Sequence, residues 1–182
     1  MYFLYNLIVI SASAVLRVLA LVNAKLNLFV KGRKETLFIL KKSISPKDRV
    51  IWMHTASLGE FEQGLPILED LKQQYPTHKI VLTFFSPSGY EVKKNSNVAD
   101  VICYLPLDTK NNVYAFLKAT HPDVAIFIKY EIWPNYLTAL EKTNTPTFLI
   151  SALFKENQIY FKWYGAFTVS YTHLTLPTIY SV

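Results

Sequence analysis

The sequence predicts an α/β fold, a parallel sheet with helices on both faces, preceded by a hydrophobic N-terminal helix. Three observations carry that prediction. From residue 49 onward, short apolar runs rich in Val, Ile and Phe alternate with helix-periodic stretches, the pattern of strands buried on both faces of a parallel sheet. Small and polar residues gather where each run gives way to a helix, and right-handed crossovers bring such junctions to one sheet edge. Residues 2–22 carry Arg17 as their single charge, and about 20 apolar residues span a bilayer.

Taken in order, residues 1–24 read as a membrane-anchor helix. No basic segment precedes the apolar run and no signal-peptidase site follows it, so cleavage is not expected. The positive cluster behind it assigns the C-terminal side to the cytoplasmic face of the membrane. Spanning the bilayer and lying in its interface both fit the pattern. Residues 25–48 read as a basic linker.

Residues 49–167 form the domain. Val50–Met53 is the first strand, and Gly59–Tyr75 a helix with Leu65, Leu68 and Leu71 on one side. Pro66 is expected to kink that helix or mark where its regular part starts. Lys79–Phe85 is the second strand, followed by the turn Ser86-Pro87-Ser88-Gly89 and a short helix. Asp100–Leu105, Asp123–Lys129 and Thr147–Ser151 are the remaining strands. Between and after them, Asn111–Thr120, Trp133–Lys142 and Lys155–Phe167 are helices. The fold is Rossmann-like, yet it contains neither G-x-G-x-x-G nor G-x-x-x-x-G-K-[ST], which argues against dinucleotide and P-loop chemistry. Residues 168–182 hold no charge and abundant Thr. They look like translated adapter read-through rather than native sequence, and His173 is given no role.

The 182 residues have 51% hydrophobic and 15% aromatic content, with a mean hydropathy of +0.19, high for a fully soluble protein. Cys103 is the single cysteine; it excludes an intrachain disulfide and any Cys-based zinc site, and reads as a buried strand residue. The net charge of +6 is local. Residues 25–49 hold eight Lys and Arg against Glu35 and Asp48, so the rest of the chain sums to zero. A basic patch beside an apolar segment, with Lys31, Arg33 and Lys34 at its centre, favours anionic lipid head groups or phosphorylated ligands. Nucleic acid is not expected as a partner, because no recognised binding motif accompanies the charge.

The residues that invite a chemical reading lie at His54-Thr-Ala-Ser-Leu-Gly-Glu60. Ser57 and Glu60 have the S-x-x-E spacing of a capping box, and a carboxylate at a strand–turn–helix junction also suits a general base. Ser57 and Gly59 allow a tight turn and close approach of the backbone to a ligand. Ser86, Ser88 and Gly89 form a second small-residue loop that can hold phosphate through backbone N–H groups or serve as a plain turn. His54 is a candidate substrate contact or a structural histidine.

Four loop motifs in order, His54–Glu60, Thr83–Glu91, Tyr104–Asp108 and Glu131–Asn135, follow Lys31-Gly-Arg-Lys34 and the apolar start. Together they resemble the N-terminal half of 3-deoxy-D-manno-octulosonic acid (Kdo) transferases, over roughly residues 1–167. The resemblance implies the N-terminal half of a GT-B fold, engaging a lipid A precursor (lipid IVA) in lipopolysaccharide core biosynthesis. It implies a C-terminal domain that binds the donor CMP-Kdo, inversion at the anomeric centre, no metal or other cofactor, and an inner-membrane location. Glu60 matches the family's proposed general base. Many members carry a second Glu where Lys129 stands here, so Lys129 is expected to contact acceptor differently, for instance by pairing with phosphate. Glu131 is a further substrate-contact candidate, or a helix cap, while Trp133 and Pro134 are expected to pack. Without the donor half, residues 1–182 alone are expected not to transfer Kdo. Competing readings are another GT-B transferase acting on a lipid-linked acceptor and a non-catalytic, membrane-attached binding module.

Overall fold

A computed structural model describes residues 2–129 and 132–150. Its order is α1 (Tyr2–Leu19), α2 (Ala24–Ser43), β1 (Arg49–Thr55), α3 (Leu58–Gln74), β2 (His78–Phe84), α4 (Pro87–Lys93), β3 (Val101–Tyr104), α5 (Lys110–Thr120), β4 (Val124–Ile128), α6 (Pro134–Lys142) and β5 (Thr147–Ile150). The five strands form one sheet, ordered β3-β2-β1-β4-β5, and every pairing is parallel. The α/β sheet expected from the alternation of apolar runs and helices is therefore present. Strand ends differ from the expected ones by one or two residues, because pairing rather than hydropathy sets them. The expected helix over 155–167 and the tail 168–182 lie outside the described residues.

Alternation along the strands builds two cores. On one face Trp52, Val81, Cys103 and Phe127 pack with Leu40 of α2, Val113 and Phe116 of α5, and Tyr136 and Leu140 of α6. On the other, Met53, Leu82, Phe84 and Ile126 pack with Phe61 and Leu68 of α3. Trp52 anchors the first core, its ring centroid 4.8 Å from Phe116 and 5.1 Å from Phe127, and its indole N–H donates to Thr83 Oγ1 at 2.8 Å. Cys103 is buried in β3, where desolvation pushes its thiol up to about 12. Pro66 falls inside α3, on the exposed side, and the helix runs through it.

Two expectations for the N-terminal region are corrected. The apolar run 2–22 does not make one long helix. It breaks at the turn after Leu19, and Asn23 then caps α2 by accepting from Leu26 N. Among the described residues no helix is long and apolar enough to cross a membrane. The basic linker is likewise mostly helix. Leu26, Phe29, Val30, Leu37 and Leu40 recur at helical spacing among the lysines, and Leu40 docks the C-terminal part of α2 on the sheet core. Thr36 and Leu40 are buried, and Thr36 Oγ1 donates to Tyr104 O at 2.9 Å.

Candidate functional site

From β1 the chain moves outward through β2 and β3, then crosses back to place β4 on the other side of β1. The helices that follow β1 and β4, α3 and α6, pack on opposite faces of the sheet, which makes the C-terminal ends of these two strands the switch-point crevice at which open α/β sheets bind ligands. The His54–Glu60 motif leads from β1 into α3 at this crevice. In register, Phe127 pairs with His54, which brings Lys129 level with Ala56.

Glu60 is half-buried in the first turn of α3. Ala56 N donates to its Oε2 at 2.6 Å, while Glu60 N donates to Ser57 Oγ at 3.5 Å. This is a capping box displaced by one residue, since the carboxylate reaches the N–H before the cap rather than that of Ser57 itself. The neighbouring loop is laced to it: Ser86 N donates to Ala56 O at 2.7 Å and Phe85 N to Thr55 O at 3.3 Å. Ser57, Glu60, Ser86 and Ser88 are thereby brought to one lip of the crevice. Ser86 caps α4 through Ser88 N at 3.2 Å, and the two hydroxyls lie 3.0 Å apart.

The two glycines differ. Gly59 is exposed, and a Cβ added there meets nothing within 4 Å. Gly89 is buried, and a Cβ would collide with the Phe84 ring and approach Leu58 N at 3.1 Å. Gly89 thus packs α4 against α3, and its N–H donates to Ser86 O at 3.3 Å. Gly59→Ala is expected to leave thermal stability unchanged or raise it by up to about 1 kcal/mol. Gly89→Ala should lower it by about 1–3 kcal/mol. Urea titration of both variants reads the contrast, and equal effects would contradict it.

His54 has no exposed surface. Its Nδ1 lies 2.9 Å from Thr83 Oγ1 and 3.2 Å from Thr83 O, and its ring stands against Phe127 and Trp133. That placement is structural, away from the lip where substrate contacts were expected. Trp133 packs on Phe85 as well, at 4.9 Å. Lys129 is half-buried at φ 64° and donates its backbone N–H to Ile150 O at 2.7 Å. A left-handed lysine costs of order 1–2 kcal/mol, and such conformations cluster at functional loops. Glu131 lies outside the described residues.

Of the basic patch, Lys31 and Lys34 are exposed but Arg33 is turned inward. Its guanidinium carbon sits 3.4 Å from the Phe29 ring centroid, 4.7 Å from Phe85 and 5.0 Å from Tyr104. It donates to Phe29 O at 2.9 Å and to Phe85 O at 2.6 Å. Desolvation lowers its pKa to about 9 against the attraction of Tyr104 and Tyr136, so it stays charged at neutral pH. Arg33 therefore pins α2 to the loop that carries Ser86.

Asp108, the last residue of the Tyr104–Asp108 motif, ties two loops together. Asp108 is buried and accepts from Tyr5 Oη at 2.6 Å, from Asn135 N at 3.1 Å and from Tyr136 N at 3.1 Å. It caps α6 from another loop, because the residue at the cap position, Trp133, makes no side-chain cap bond. The signal was available: a helix opening Trp-Pro-Asn lacks its own capping side chain, so its N–H groups need an acceptor from elsewhere. Through Tyr5, and through Asn6 Oδ1 accepting from Asn135 Nδ2 at 3.1 Å, the same joint ties α1 to the crevice. Two of the ordered motifs thus meet in space.

A sequence model of the family described as "3-Deoxy-D-manno-octulosonic-acid transferase (kdotransferase)" matches residues 31–177. The chain belongs to the Kdo transferase family. The match reaches into the stretch from 168 that had been set apart from the fold. Among curated relatives, the 3-deoxy-D-manno-octulosonic acid transferase of Aquifex aeolicus is 37% identical over 123 residues, 67% of this chain and 33% of the relative. That of Haemophilus influenzae is 28% identical over 152 residues, 83% of this chain and 36% of the relative. A probable mitochondrial member from Arabidopsis thaliana is 30% identical over 111 residues, 60% of this chain and 25% of the relative. The matched stretch covers about a third of the two bacterial Kdo transferases. Within this family member the described crevice is built by β1, β2 and β4, with Glu60 on its rim.

Proposed function

We propose that this chain is the acceptor-side portion of a Kdo transferase that moves Kdo from CMP-Kdo to a lipid A precursor. Glu60 is the general base, taking the proton of the acceptor hydroxyl as that oxygen attacks the anomeric carbon of Kdo and CMP departs from the opposite face. The observation that carries this reading is the position of Glu60: a half-exposed carboxylate at the switch-point crevice, beside two small-residue loops. One oxygen is steadied by Ala56 N, which orients the carboxylate, and the open space above Gly59 gives a sugar phosphate room to approach. Lys129 and Glu131 complete the acceptor contacts, and CMP-Kdo is held by the part of the enzyme beyond the matched third. The transfer inverts the anomeric centre without metal. The decisive assay is Kdo transfer by a full-length member carrying this region, with product stereochemistry read by NMR. Inverted product in the presence of EDTA is the expected result; retained configuration, or activity abolished by EDTA and restored by a divalent cation, would overturn the proposal.

The enzyme meets the inner membrane at its cytoplasmic face, with α1 lying in the interface. In support, Phe3, Leu4, Leu7, Ile8, Val15 and Val18 of α1 are all more than 45% exposed, and clustered exposed apolar residues mark membrane or protein contact sites. Leu7→Glu with Ile8→Glu is expected to weaken co-sedimentation with phosphatidylglycerol vesicles by about tenfold or more. Undiminished binding would contradict interfacial docking through α1.

A further inference from the structure

We propose that the cavity between α1, α2 and the β3–α5 loop binds a phosphate-bearing anion, held by Arg17, Arg33 and Lys34. The cavity has a volume of about 220 Å³ and is lined by these three cations, with Ser13 and Asn112 as further polar groups and no carboxylate. Asp108 follows the lining residue Leu107, but its oxygens are committed to Tyr5 and the N-terminus of α6. Beyond the aromatic rings it stacks on, the hydrogen bonds of Arg33 go to two neutral carbonyls, Phe29 O and Phe85 O, and its Nε is buried without a hydrogen-bond acceptor. Among the described residues no acid pairs with it. A charge held away from water with no counter-ion is costly, and an anion in the cavity offsets that cost.

The arrangement selects phosphate among anions. Three cations reach the cavity from two helices, which suits a tetrahedral group carrying close to two negative charges and several acceptor oxygens. Arginine is the side chain best matched to such oxygens. The surroundings indicate where the phosphate comes from. Val15 and Val18, on the same helix as Arg17, are exposed at 56% and 66%, so a lipid head group can enter while its chains stay with the apolar face. This deepens the interfacial reading of α1 and rests on it only for the source of the phosphate.

The test uses the 182-residue chain with ¹⁵N-labelled arginine, following the Nε–Hε resonance of Arg33. Inorganic phosphate and dihexanoyl phosphatidate are each titrated in, with dihexanoylglycerol as the phosphate-free control. Saturable shifts with at least one phosphate ligand and none with the control are expected. Because Arg17 and Lys34 are exposed, the double variant Arg17→Gln, Lys34→Gln is expected to fold and to bind at least about tenfold more weakly. Tighter binding of phosphatidate supports a lipid head group, and equal binding supports a free phosphate. No saturable shift with either ligand, or unchanged affinity in the double variant, would overturn the proposal. Kdo transfer is read in a separate assay, so failure here does not merge with failure of the transferase reading.

Discussion

Glu60→Gln in a full-length transferase carrying this region is expected to reduce the transfer rate by about 10²–10⁴-fold, the usual contribution of a general base. Stability should fall by no more than about 1 kcal/mol. The amide keeps an oxygen that can accept from Ala56 N, so the displaced cap survives while the proton acceptor is lost. Steady-state rates and thermal melts on the same preparations separate the two roles. A rate loss below about tenfold, with the full loss of stability, would leave Glu60 as a cap alone.

Asp108→Ala should give the largest stability loss, about 3 kcal/mol or more. The variant strands two N–H groups at the start of α6 and the hydroxyl of Tyr5, all now satisfied by one buried carboxylate. Because α6 delivers Tyr136 and Leu140 to the core, the loss should appear as a lower urea midpoint. The effect is pH-dependent. Desolvation pushes the Asp108 carboxyl up, outweighing the hydrogen bonds from Tyr5, Asn135 and Tyr136 that favour its ionised form. The folded state therefore holds this proton more firmly than the unfolded chain does. Its stabilising contribution is fully present below the ordinary carboxylate value of 3.8 and is lost as pH rises through the raised folded value. The gap between wild type and Asp108→Ala should accordingly widen as the pH is lowered from 7 towards 4. A gap that narrows over that range would contradict the raised value.

The strands were legible because buried parallel strands are nearly continuous apolar runs, and the loops because small residues mark each turn. Charge obscured α2: eight basic residues between 25 and 49 hid a stripe at helical spacing. Hydropathy over-read residues 2–22, since an apolar count does not register the turn after Leu19 or the cap that Asn23 provides for α2. His54 and Gly89 looked like site residues because they stand in the motif loops. Whether such a side chain faces solvent or Thr83, or whether a missing Cβ leaves room for ligand or for Phe84, depends on the neighbouring strand. Asp108 and Arg33 were named by motif and by charge, but their partners are 27 and 52 residues away in sequence, beyond the reach of local pattern.

The central claim is that the lip formed by Ser57, Glu60, Ser86 and Ser88 receives the acceptor and not the donor. Amide NMR of the ¹⁵N-labelled 182-residue chain, titrated separately with micellar lipid IVA and with CMP-Kdo, tests it most directly. Saturable shifts at the amides of residues 57–60, Ser86 and Ser88 with the lipid, and none with the nucleotide sugar, are predicted. Saturable binding of CMP-Kdo at those amides, with no response to lipid IVA, would contradict it.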